Sequence, residues 1–141
     1  MGVLREIGRF VGNLLEMIVC AIAALIEMAI WAVGFFIDIF TDVLSWINGC
    51  LESLLGNGAK EVDAVRGDAL ADFIKQNQAT GKYTEISLSQ LNAMNNSVIN
   101  VAMDNTGKVV DDQMIRSQGG LSQQTKAQFN GQPTLKIKIS Q

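Results

Sequence analysis

Of 141 residues, 48% are apolar, one is proline and none is histidine, and the formal net charge is −3. The missing histidine removes imidazole acid–base catalysis, Ser-His-Asp triads and most zinc sites, while Cys20 and Cys50 form neither a CxxC pair nor a disulfide scaffold. The composition argues against an enzyme, and no cofactor or metal is expected.

The apolar residues are unevenly placed: 37 of 68 fall within 1–55, leaving 31 for the remaining 86 residues. Charge divides as well. Arg5 and Arg9 stand against six acids in 1–55, giving −4, and nine cations against eight acids beyond give +1. Neither value suits a broad basic surface for duplex nucleic acid. The reading is of two parts, residues 1–55 and 60–141, joined by a hinge at 56–59.

The N-terminus is not read as a signal peptide, because Glu16 interrupts the apolar region and apolar sequence continues well past Ala21-Ile22-Ala23. Met1-Gly2 lacks the hydroxyl residue of a myristoylation motif, since Glu6 stands there. Residues 17–37 carry one charge, Glu27, and are long enough for a transmembrane span.

Helical phase suggests one uninterrupted rod. At about 100° per residue, Arg5, Glu6, Arg9, Asn13, Glu16, Glu27, Asp38, Asp42, Ser45, Asn48 and Glu52 share one sector. Arg5, Glu16, Glu27, Asp38 and Gly49 also follow an 11-residue spacing, which favours a right-handed supercoil. The expectation is a helix over 3–54, ~75 Å long. Its wide apolar arc would meet lipid and its narrow acidic stripe would face the axis of a homo-oligomer in the cell's inner membrane. Glu16, Glu27, Trp31, Asp38, Asp42 and Glu52 would then line a pore. A surface-lying amphipathic helix and an inert packing seam are the alternatives.

Gly56-Asn57-Gly58 closes this rod. Val62, Val65, Ala69, Leu70, Phe73 and Ile74 repeat at helical spacing, predicting a helix over 60–76. Alternation predicts strands at 84–88 and 97–104, a turn at 104–107 and a returning strand at 108–116. A short helix over 121–129 and a strand carrying Leu135, Ile137 and Ile139 end the chain. The second part reads as a small α+β domain of about four strands. The Asp111-Asp112 and Glu61/Asp63 pairs read as surface charges.

One loop, residues 116–122, has the makings of an anion site. Arg116, Gly119 and Gly120 lead to Ser122 at a helix N-terminus, where free N–H groups and glycine backbone suit a phosphate. Lys126, Lys136 and Lys138 could join Arg116 there. An ordinary strand–loop–helix connection capped by Ser122 is the other reading.

The plan of a short hydrophobic N-terminal element joined to a small polar domain resembles the small membrane effectors of bacterial anti-phage systems, among them channel subunits of the Hailong type. The resemblance implies an oligomeric channel, an anionic nucleotide or short DNA ligand made by a partner enzyme, and growth arrest on opening. The leading expectation is thus an oligomeric ion channel gated by its α+β domain. A holin-like or toxin-like permeabilising protein and a structural membrane anchor are the alternatives.

Overall fold

The computed structural model describes residues 2–139, with side chains from Leu14 onward. The chain folds as an α+β domain around one mixed five-stranded sheet. In chain order the elements are α1 (Gly2–Glu27), β1 (Ile30–Trp31), a π-helical turn (Ile39–Val43), α2 (Leu44–Gly49), α3 (Leu51–Gly56) and β2 (Glu61–Arg66). There follow α4 (Gly67–Gln78), α5 (Leu88–Asn95), β3 (Ser97–Met103), β4 (Val109–Arg116), α6 (Gln123–Phe129) and β5 (Thr134–Lys138). The sheet order is β1-β4-β3-β2-β5. The β2–β3, β3–β4 and β2–β5 pairs are antiparallel, and β1 lies parallel to the end of β4.

Strand alternation gives the sheet two apolar faces, and helices cover both. Val65, Ile99, Val101, Met103 and Met114 meet Leu14, Leu15, Ile18, Val19, Ile22 and Leu25 of α1 together with α4 and α5. Val62, Ala64, Val98, Ala102 and Ile115 meet Ile37, Val43, Ile47, Leu54 and Phe129 from the opposite layer. β3 is buried along its whole length, as a central strand between two layers must be.

Local chemistry sets several boundaries. Ser87 opens α5 with a reciprocal capping box to Gln90. Gly67 opens α4 where a Cβ would overlap Met94 O and Ser97 Oγ, so only glycine lets this helix start against the α5–β3 junction. Asn130 takes a left-handed conformation at φ 51° to end α6, followed by Gly131 at φ 77°.

The expected unbroken rod is not found. Helix α1 stops at Glu27, residues 30–31 join the sheet, and helix resumes only at Ile39. No charged or amide side chain lies between Glu27 and Asp38, so the polar phase on either side carried no information about the connection. That interval is rich in β-branched and aromatic residues, which favour extended backbone. From Leu14 onward the buried apolar side of α1 packs against α4, α5 and the sheet. Among the described residues no helix is long and apolar enough to cross a membrane. The channel, pore-forming and membrane-anchor readings all need such a helix, and this finding overturns them. The side chains of Arg5, Glu6, Arg9 and Asn13 lie outside the described residues.

Two further differences concern the rest of the chain. Residues 61–66, expected as helix, form strand β2, whose Val62 and Val65 fit a helical face yet enter the two opposite cores. The expected strand at 84–88 is a turn leading into the Ser87 cap.

Candidate interaction face

The β1 side of the sheet gathers the unusual features of the surface. β1 adds only two residues to the edge, with Ile30 opposite Ile115 and Trp31 opposite Arg116. The Ala32 N–H donates to Arg116 O at 2.7 Å. The chain then runs beside the loop after β4. Ile37 N–H donates to Gly120 O at 2.7 Å, Gly119 N–H to Phe35 O at 2.9 Å and Ser122 N–H to Ile37 O at 2.9 Å. A Cβ on Gly119 would overlap the Phe35 ring, so glycine is what allows this close approach.

Acids fix the shape of the same segment. Asp42 is buried, and its carboxylate accepts from Val33 N–H at 3.2 Å and Asp38 N–H at 2.8 Å. Asp38 in turn accepts from the N–H groups of Phe40 and Thr41, capping the π-helical turn. Thr125 Oγ1 accepts from Ile39 N–H at 2.9 Å, which ties the turn to α6. The outcome is an ordered segment with its apolar side chains turned outward. Val33 is 89% exposed, Met28 78%, Ile30 41%, and Trp31, Phe35, Phe36 and Phe40 between 49% and 59%.

The area is large. Four aromatic rings about half free present ~100 Å² each, and three aliphatic side chains add ~200–300 Å². The exposed apolar area of 28–40 sums to ~600–700 Å² and is shared between both sides of the sheet edge, since Ile30 and Trp31 alternate along β1. Among the described residues the edge of β4 next to this ribbon is open, because β1 covers only Ile115 and Arg116 and leaves 109–113 without an outer neighbour. A cleft of about 220 Å³ runs between Asp111–Met114 and Ala21, Ala24, Leu25 and Met28.

The six residues expected to line a pore are dispersed. Glu16 and Glu27 lie on α1, Trp31 on β1, and Glu52 on the exposed side of α3. Asp38 and Asp42 hold backbone N–H groups. The expected anion-site residues are also parted. Arg116 stacks its guanidinium 4.9 Å from the Trp31 ring centroid. The N–H groups of Gly119, Gly120 and Ser122 are all engaged within the chain, Gly120 with Ser117 Oγ. Ser122 caps α6 through the N–H of Thr125. Lys126 lies on α6, which packs against the other face of the sheet through Phe129. Lys136 and Lys138 are on β5, three strand spacings or ~14 Å from β4.

A second polar cluster lies under the β2–β5 pair. Residues 61 and 63 alternate onto one face of β2, opposite Lys138 and Lys136. Lys136 Nζ lies 3.6 Å from Glu61 Oε2. Asp63 is 2% exposed, and its Oδ2 accepts no hydrogen bond. Burial first, and then a hydrogen bond and repulsion from Glu61, push its carboxyl up to about 7. Below neutral pH the protonated form of Asp63 is favoured, and its O–H can then donate toward Glu61. Burial, then Asp111, also raise the pKa of Asp112. The spacing of Glu61 and Asp63, which puts both on one face of a strand, was the legible signal for this pair.

No protein-family model, curated protein or solved structure matches the chain, and none identifies an anti-phage defence protein.

Proposed function

We propose that the protein is a self-assembly module, and that its copies meet through the β1 side of the sheet. The carrying observation is the exposed ribbon at 28–40, held in place by buried hydrogen bonds while two closed cores lie behind it. A segment anchored in this way is not a loosely folded loop: Asp42, Asp38 and Thr125 fix its backbone and leave its large side chains in water. The exposed apolar area of the segment, ~600–700 Å² in sum, is of the order of the ~800 Å² per partner of a standard stable interface. No catalytic step belongs to this reading.

Sedimentation velocity from about 1 to about 100 μM tests it. The wild-type protein is expected to associate with rising concentration. Val33→Asp combined with Phe40→Asp is expected to stay monomeric with an unchanged melting temperature, because both side chains are exposed. A wild-type chain that remains monomeric throughout contradicts the proposal.

A further inference from the structure

We infer that copies associate head to tail by sheet extension, the β5 edge of one copy adding to the open β4 edge of the next; this rests on the self-assembly reading above. The two outer edges of the sheet differ and match. On one side, among the described residues, 109–113 of β4 has no outer strand. On the other, β5 is itself the last strand. Both stretches are five residues long.

Direction is favourable. β4 is antiparallel to β3, β3 to β2 and β2 to β5, so β4 and β5 run oppositely. A translated copy therefore brings β5 against β4 in antiparallel pairing, without turning the sheet over. Backbone orientation agrees. Arg66 N–H donates to Pro133 O and Ile139 N–H to Lys60 O, so the odd-numbered residues of β5 point to β2. By alternation the backbone groups of Thr134, Lys136 and Lys138 face outward. On β4, Arg116 O accepts from Ala32 on the outer side, and Asp112 shares that orientation by the same alternation. The N–H of Asp112 is held by Asp111 Oδ1 at 2.8 Å in the single chain, and its carbonyl faces the gap.

Charge identifies a second copy as the occupant. Asp111 and Asp112 are exposed on the open edge, and Lys138 is exposed on the far edge. The register 136–63–101–112 places Lys136, Asp63 and Asp112 on one face, and Lys138 shares it. In an extended sheet that leaves 115–116 to β1, residues 134–138 of one copy face 110–114 of the next, which sets Lys136 opposite Asp112 and Lys138 diagonal to it on the same face. Opposite charges in that position are stabilising, whereas two β4 edges would set acid against acid. Ala21 and Ala24 line the cleft of about 220 Å³ beside β4, on the side the incoming strand would occupy. Such an interface is heterologous, so it builds a ring or an open series and not a closed dimer.

The test is sedimentation velocity on the full chain bearing Asp112→Lys, Lys138→Asp, or both. Each single reversal is expected to weaken association about tenfold or more, and the double reversal to restore it. Wild-type species larger than dimers should form, and should decline between about 0.05 and about 0.5 M salt. Both reversals sit on exposed side chains, and circular dichroism verifies folding. A species no larger than a dimer, indifferent to both reversals yet lost in Val33→Asp with Phe40→Asp, overturns head-to-tail addition while the β1-side reading stands. A wild-type chain that stays monomeric overturns both.

Discussion

Replacing Asp63 by asparagine removes a carboxyl that burial pushes up to about 7. The chain has no histidine, and ordinary carboxylates are fully ionised above about pH 5. Between about pH 5 and about pH 8, Asp63 therefore dominates the dependence of stability on pH. Its folded-state pKa is raised from 3.8 to about 7. The sign follows: the protonated form is favoured in the folded state, so this stabilisation is complete below about 3.8 and is lost as pH rises through about 7. Three pH units correspond to ~4 kcal/mol as an upper bound. Sharing of the proton with Glu61 and the nearby Lys136 reduce the effect to ~2 kcal/mol. The asparagine side chain would keep the shape and supply an N–H donor toward Glu61. Asp63→Asn is expected to flatten the urea-unfolding free energy between about pH 5 and about pH 8, and to exceed wild type by ~2 kcal/mol at the upper end. Wild-type stability that stays level or rises over this range, with the variant weaker by a constant amount, refutes the buried-proton account.

Other substitutions probe the frame. Gly67→Ala forces a Cβ into Met94 O and Ser97 Oγ, and is expected to cost ~3 kcal/mol or more in chemical denaturation. Phe129→Ala empties a position 1% exposed and should cost ~3–5 kcal/mol by the same assay. Thr125→Val leaves the Ile39 N–H without its acceptor, a loss of ~1–3 kcal/mol that amide exchange would place at the π-helical turn. Ser87→Ala removes half of the capping box and should lower stability by ~1 kcal/mol.

How far the sequence could be read depended on whether polar residues marked the register. Ile99, Val101 and Met103 recur at every second position and Asp104–Gly107 marks a turn, and β3 and the returning β4 lie on either side of it. Ser122 and Asn130-Gly131 bracket α6 where cap and stop signals stand. In 1–55 the polar side chains aligned on one helical stripe, yet the ten residues between Glu27 and Asp38 held none of them. A break in that interval left the phase on either side unchanged. From Leu14 onward α1 is buried by α4, α5 and the sheet together, from distant parts of the chain. Such long-range packing leaves no trace in local periodicity. Strand β2 was hidden for a related reason: Val62 and Val65 fit a helical face, yet on the strand they enter the two opposite cores. The exposed ribbon shared this fate: Val33, Phe35 and Phe36 resemble lipid-facing residues in sequence, and only the fold shows which apolar side chains remain uncovered.

Amide hydrogen exchange measured at low and high protein concentration addresses the assembly claim most directly. Protection is expected to rise with concentration at 28–40, 109–114 and 134–138, and to stay constant in α4, α5 and β3. Protection that is independent of concentration at those three stretches, or that increases only elsewhere, contradicts association through the open side of the sheet.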